Sequence, residues 1–129
     1  MVRPKVAVVI PAFNEEKTIR SVICEVIAYG VPIVVNDGST DDTALIAVEA
    51  GAFVVSHNIN RGYDAALESG FKEALRQQCK IIVTFDADGQ HTASLLETFL
   101  ASIDDGADVV IGIRNRSARI SETFFSWVA

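Results

Sequence analysis

The stretch Ile81-Ile82-Val83-Thr84-Phe85-Asp86-Ala87-Asp88-Gly89-Gln90-His91 decides how the chain is read. Its first five residues are apolar or β-branched and show no helical period, so they read as a buried strand over 81–85. Asp86 and Asp88 follow at the carboxyl end of that strand. In extended backbone, residues two apart point to the same side, so both carboxylates face one space beyond the sheet edge. Two like charges so placed repel unless a cation lies between them. A hard divalent cation, Mg²⁺ or Mn²⁺, suits oxygen ligands and bridges carboxylates to substrate phosphates. Gln90 and His91 offer further ligand atoms, and Gly89 lets the backbone turn. An acidic surface turn would carry the same residues. Their place at the end of a buried strand in an open α/β pattern, where ligands bind, favours the metal.

Outward from this stretch, strands alternate with helices. Residues 6–10 (VAVVI) form a second apolar run, closed by Pro11. Asn14 stands as a helix N-cap with Glu15 and Glu16 in the first turn, where the helix dipole favours acids. That helix runs to about Tyr29, with Ile19, Val22, Ile23, Val26 and Ile27 as its buried stripe and Gly30 as its stop. A strand is expected over 32–36. After it, Ser39 or Thr40 caps a helix over 41–50, with Asp42 at capping-box distance from Ser39. A short strand over 52–56 and a polar loop over 57–62 precede a helix over 63–78. The face of that helix is Leu67, Gly70, Phe71, Ala74 and Leu75. Beyond His91, Thr92 or Ser94 caps a helix carrying Leu96, Phe99, Leu100 and Ile103, and a last strand covers 108–113. The fold class is therefore α/β: a mainly parallel, doubly wound sheet of about five strands with helices on both faces.

With 129 residues, the chain reads as one domain with room for a real core. Its net charge of −6 excludes nucleic acid as a partner, since such binding leans on basic patches. Cys24 and Cys79 have no zinc spacing and are read as reduced packing residues of a cytoplasmic protein. The first apolar run is short and cut by Pro11, so it does not read as a signal peptide, and no apolar stretch approaches the ~18 residues of a membrane span. Residues 114–129 differ in composition: Arg114, Arg116 and Arg119, then an apolar end with Phe124, Phe125 and Trp127. They read as a C-terminal helix for packing or association. Two uses of 120–129 stand open, contact with a second copy or with a membrane surface.

Asp37 and the pair Asp86/Asp88 both lie at carboxyl ends of expected strands, and residues 11–15 follow a third. In a doubly wound sheet these ends share one crevice. The set suits a nucleoside diphosphate, with carboxylates for base or ribose and a metal for the pyrophosphate. No Gly-x-Gly-x-x-Gly follows the first strand, and no Gly-Lys-Ser/Thr loop is present. No Ser/His/Asp set is suggested by spacing, and His57 reads as a loop residue. A phosphotransferase with Asp86 as nucleophile is disfavoured, because Gln90 occupies the place where that chemistry needs a different residue.

The segments VIPAFNEE (9–16), VVNDGSTDDT (34–43), Asn58-x-Asn60-x-Gly62, FDADGQH (85–91) and VIGIR (110–114), in this order along nearly the whole chain, resemble the family 2 glycosyltransferases. The likeness is strongest to the dolichol-phosphate mannosyltransferase-like branch. The resemblance implies a GT-A fold and a nucleotide-diphosphate sugar as donor. Pro11, Phe13, Glu15, Val35 and Asp37 would line the base and ribose pocket. Asp86, Asp88 and Gln90 would hold the metal, with Ala87 at the diphosphate and Arg114 reaching toward the phosphates. The implied reaction is inverting and metal-dependent transfer to an acceptor such as a polyprenyl phosphate, at the cytoplasmic face of the membrane. The alternative is a nucleotide-sugar-binding domain without transfer activity of its own. Three departures stand out: Asn36 where the family carries a first acid, Asp64 in place of a small residue, and a short chain after Arg114. The portion that would bring a catalytic base is absent, so no catalytic residue is assigned. The antiparallel strand that would cover the sheet beside the Asp-x-Asp strand is also expected to be missing.

Overall fold

The computed structural model describes residues 5–87, Glu97 and Leu100, and the backbone of 109–112, 115–116, 119–120 and 123–125. Its elements run β1 (Val6–Ala12), α1 (Ile19–Val26), β2 (Val31–Asp37), α2 (Thr43–Glu49), β3 (Phe53–His57), α3 (Tyr63–Arg76), β4 (Ile81–Thr84) and β5 (Val109–Gly112). Three short strands follow: β6 (Asn115–Arg116), β7 (Arg119–Ile120) and β8 (Thr123–Phe125). The main sheet has the order β3-β2-β1-β4-β5-β8. All neighbours are parallel except β8, which runs antiparallel to β5. All five expected strands form, in a doubly wound α/β fold.

Strand periodicity explains the core. Successive residues of β1 face opposite sides, and both sides are covered, so Ala7, Val8, Val9 and Ile10 are all fully buried. Val8, Ile10, Val34 and Val83 pack with Ile19, Val22, Ile23 and Val26 of α1 and Ala47 of α2 on one face, where Leu100 also rests. Ala7, Val9, Ile33, Val35 and Ile82 pack with Ala66 and Ala74 of α3 on the other. The α3 face is narrower than expected. Its buried line is Ala66, Gly70 and Ala74, four residues apart, while Leu75 is 65% exposed. Small residues on that line let the helix lie close to the sheet. Ile27, expected in the α1 stripe, lies just past the helix and is exposed.

The closeness of α3 has a measurable consequence. A Cβ at Gly70 would sit 2.3 Å from Val9 Cγ1 and 3.2 Å from Val35 Cγ2. Both valines are fully buried and stiff at χ1. Alanine at an exposed helical glycine should stabilise by about 1 kcal/mol. Here overpacking outweighs that gain, and Gly70→Ala is expected to destabilise by about 1–2 kcal/mol in urea unfolding. A gain in stability would mean that α3 can lift off the sheet without cost.

Two helix starts differ from the sequence expectation. Asn14 does not cap α1. Its backbone is left-handed (φ 52°), and α1 begins only at Ile19. The helix after β2 begins at Thr43 rather than 41, and the Ser39–Asp42 capping box does not form. Asn14 and Ser39 bond across to the neighbouring loop instead of to their own helices, and Asp41 accepts from the Thr43 N–H at the start of α2. The tail also differs. In place of a helix over 114–129, the described residues there form β6, β7 and β8. Thr123, Phe124 and Phe125 are strand-forming types, and pairing with β5 satisfies an otherwise open edge. The uncovered edge expected beside the Asp-x-Asp strand is likewise not observed: β5 lies parallel beside β4, and β8 beyond it. The helix expected after His91 falls mostly outside the described residues. Cys79 is buried as expected, and burial raises its thiol pKa, but Cys24 is exposed. Among the described residues, no helix is long and apolar enough to cross a membrane.

Candidate active site

The chain order reverses direction in space between β1 and β4. From β1 the chain winds outward through β2 and β3, then returns to place β4 on the other side of β1. Such a switch point opens a crevice at the carboxyl ends of the strands. The register brings those ends level. Pro11 pairs with Val35, Ala12 with Asn36, Asp37 with His57, and Val9 with Thr84. The Phe85 N–H donates to the Val9 carbonyl at 2.9 Å and carries β4 one residue further along β1. Asp86 therefore emerges beside the loop that follows β1.

That loop is laced to the loop after β2. The Asn14 N–H donates to Ser39 Oγ (2.9 Å), and Asn14 Oδ1 accepts from the Thr40 N–H (2.8 Å). The Glu15 N–H donates to Thr43 Oγ1 (3.0 Å). The Glu16 N–H donates to Asp41 Oδ2 (3.3 Å), and Glu16 Oε2 accepts from the Asp42 N–H (3.2 Å). Asp41 also accepts from the Thr43 N–H (3.0 Å) and its hydroxyl. Burial acts to raise the Asp41 pKa, but these hydrogen bonds outweigh it and lower it. On the other side, Thr18 Oγ1 donates to the Ala87 carbonyl at 2.5 Å. One threonine thus ties the β1 loop to the segment that carries Asp86.

Asn36 and Asp37 form the buried polar end of β2. Asn36 Nδ2 donates to Ser56 Oγ (3.2 Å), and its Oδ1 accepts from the Ser39 N–H (3.1 Å). An amide offers both a donor and an acceptor, whereas an ionised acid would only accept. This gives the Asn36 departure a local role. Asp37 is 4% exposed and receives three donors. Oδ1 accepts from His57 Nδ1 (2.8 Å) and the Arg61 N–H (2.8 Å), and Oδ2 from the Gly62 N–H (2.9 Å). Burial acts to raise the Asp37 pKa. The bonds from His57, Arg61 and Gly62 prevail and lower it.

Of the residues expected to line the site, the structure gathers Pro11, Phe13, Glu15, Asp37, Asp86 and Ala87 at this one edge. Phe13 is 46% exposed, as suits a face open to a ligand. Val35, expected to line the pocket, is instead fully buried against α3 and between β1 and β3 and presents no surface there. Ala87 is buried, with its carbonyl engaged by Thr18. Asp88, Gln90, His91 and Arg114 lie outside the described residues. The set expected from the sequence, Asp86, Asp88 and Gln90, would offer hard oxygens, which suit Mg²⁺ or Mn²⁺; among the described residues, no group of three or more His, Cys, Asp or Glu is placed to hold a metal ion. Sequence reasoning missed Thr18, Thr43, His57 and Ser69. It also found no Ser/His/Asp set, yet Ser69, His57 and Asp37 are hydrogen-bonded in line. A usable signal was available for His57: counting β2 and β3 in parallel register sets it opposite Asp37.

A sequence model of glycosyl transferase family 2 matches residues 7–125. An uncharacterized protein of Methanocaldococcus jannaschii is 43% identical over 115 residues, covering 87% of this chain and 47% of that protein. The polyprenol monophosphomannose synthase of Mycolicibacterium smegmatis is 34% identical, covering 88% of this chain and 47% of the synthase. Among solved structures, the glucosyl-3-phosphoglycerate synthase of Mycobacterium tuberculosis in complex with UDP superposes with a TM-score of 0.66 at 29% identity, over 88% of this chain and 46% of that one. The same enzyme with Mn²⁺, UDP and glucosyl-3-phosphoglycerate gives 0.54 at 33% identity, over 65% and 33%. The chain spans about half the length of the curated relatives it matches. The family motifs, the GT-A sheet order and the crevice at its switch point agree with these likenesses, and the chain belongs to glycosyl transferase family 2.

Proposed function

We propose that this chain carries the donor half of a glycosyltransferase that moves a sugar from a nucleotide-diphosphate sugar to a polyprenyl phosphate, with inversion and with Mg²⁺ or Mn²⁺. The observation that carries this reading is the join at the switch point, where Thr18 Oγ1 holds the Ala87 carbonyl and so sets Asp86 beside the β1 loop. Pro11, Phe13, Glu15 and Asp37 line the base and ribose side, and Val35 stays buried against α3. Asp86, Asp88 and Gln90 hold the metal, and Ala87 and Arg114 meet the diphosphate. When bound, the metal supplies positive charge where the departing diphosphate gains negative charge. The glucosyl-3-phosphoglycerate synthase structure with Mn²⁺ and UDP supports the donor and metal classes, and the polyprenol monophosphomannose synthase supports the acceptor. A phosphate acceptor is already anionic and attacks without a strong base. A lipid acceptor also fits work at the cytoplasmic face of a membrane.

The test is calorimetric titration of UDP, GDP, CDP and ADP with Mn²⁺ or with chelator. Wild type is expected to bind one or more of these in a metal-dependent way. Asp86→Ala or Asp88→Ala should weaken binding by about a hundredfold or more, as expected when a charged partner is removed from a metal site. Equal binding with and without chelator would overturn the metal assignment. The coverage of only half of its relatives favours a second reading, nucleotide-sugar binding without transfer by this chain alone. Transfer of labelled sugar to a polyprenyl phosphate by the isolated chain would exclude it.

A further inference from the structure

A chain of hydrogen bonds leads from α3 to the end of β2. His57 Nε2 lies 2.7 Å from Ser69 Oγ, and His57 Nδ1 lies 2.8 Å from Asp37 Oδ1. The Asp37 and His57 side chains are 6% and 7% exposed. An ionised carboxylate has no proton to give, so Nδ1 carries the hydrogen. In the neutral ring Nε2 is then an acceptor, and the Ser69 hydroxyl donates to it. This is the reverse of the tautomer that a free histidine side chain favours.

The order Ser–His–Asp is also that of hydrolytic nucleophiles, but this site does not suit that chemistry. Ser69 lies in the middle of α3, where backbone N–H groups are spent on the helix. The chain of bonds has a different product, the fixed state of Asp37. Among the described residues, Oδ1 is saturated by His57 and the Arg61 N–H, whereas Oδ2 takes only the Gly62 N–H. A carboxylate oxygen accepts two bonds, so one acceptor position remains on Oδ2.

We propose that His57, oriented by Ser69, is a positioning residue of the nucleotide site, holding Asp37 so that a single acceptor on Oδ2 remains for an N–H or O–H of a nucleoside diphosphate. This rests on the donor-binding reading given above. His57 acts through Asp37 and does not itself touch the ligand. Without it, Oδ1 loses a donor, the carboxylate gains rotational freedom, and the acceptor is no longer set in one place.

The test combines nitrogen NMR of the histidine ring with nucleotide titration, using whichever of UDP and GDP the wild-type chain binds more tightly. The wild-type ring is expected in the Nδ1–H form. His57→Ala should weaken binding about tenfold, the size of one hydrogen bond to a charged group. His57→Asn, whose Nδ2 stands near the place of Nδ1, should recover most of that loss. His57→Gln, whose amide reaches toward Ser69, should not. Ser69→Ala should leave the fold and the Nδ1–H form intact, because Asp37 sets the tautomer, and should remove only the bond that holds the ring from its other side. A wild-type ring in the Nε2–H form, or equal affinity of wild type and His57→Ala, would overturn the inference. So would equal losses in His57→Asn and His57→Gln. A wild-type chain in the Nδ1–H form that binds no nucleotide would instead overturn the donor-binding reading.

Discussion

Asp37→Ala is expected to unfold about 3–5 kcal/mol more easily than wild type, the range for removing one partner of a buried charged network. It should also lose nucleotide binding. The substitution strands three donors at once: His57 Nδ1 and the backbone N–H groups of Arg61 and Gly62. Both amides are anchored by Asp37, so the turn that leads into α3 loses that anchor. Asp37→Asn separates shape from charge. Its carbonyl can still accept from His57 and Arg61, but its amide group would face the Gly62 N–H, donor against donor. It should fall between wild type and alanine. The dependence on pH follows from the lowered Asp37 pKa. A carboxyl whose folded pKa is depressed stabilises the fold above its unfolded value, about 3.9, and loses that contribution as pH falls through the folded value. The gap between wild type and Asp37→Ala should therefore be constant from neutrality down to about pH 5 and shrink in stronger acid. Urea unfolding of both chains across that range checks it. A gap that widened in acid would mean that Asp37 is protonated in the folded chain.

Gly38→Ala should cost nearly as much, by a different route. Gly38 has φ +75°, and a Cβ there would lie 2.4 Å from the Asn60 nitrogen and 2.5 Å from the Ile59 carbonyl carbon. Both are backbone atoms of the loop that carries the Arg61 and Gly62 amides, so relief requires the whole loop to move. Left-handed strain of about 1–2 kcal/mol and overpacking of about 1–3 kcal/mol add to roughly 2–5 kcal/mol. Gly62→Ala is the internal control. Gly62, at φ 97° and ψ 167° in a region essentially confined to glycine, has nothing within 4 Å of its Cβ position, so it should show strain without the clash, about 1–3 kcal/mol. Equal losses at the two positions would mean that the loop over 57–62 yields freely. Nucleotide affinity should fall in Gly38→Ala although Asp37 is unchanged, because the donors that hold its carboxylate move with the loop.

The sequence by itself determined the strands, their alternation with helices and the parallel sheet. Runs such as Val6–Ile10 and Ile33–Val35 are β-branched on both faces, and only a strand covered on both sides buries such a run. It also placed Asp37 and Asp86 at the carboxyl ends of strands, since both follow apolar runs. Only the tertiary structure decided what the polar side chains do there. Asn14 has the composition of a helix cap, but Ser39 and Thr40, some twenty-five residues away, take its hydrogen bonds. His57 and Ser69 look like loop and helix-surface residues until parallel register sets His57 against Asp37 and α3 brings Ser69 to its other nitrogen. The tail was misread as a helix because its pattern holds no record of the open edge of β5, whose unpaired backbone groups draw 123–125 into a strand. Local pattern reports burial and period. Hydrogen-bond partners distant in sequence are chosen by register and packing, and these exist only once the sheet has formed.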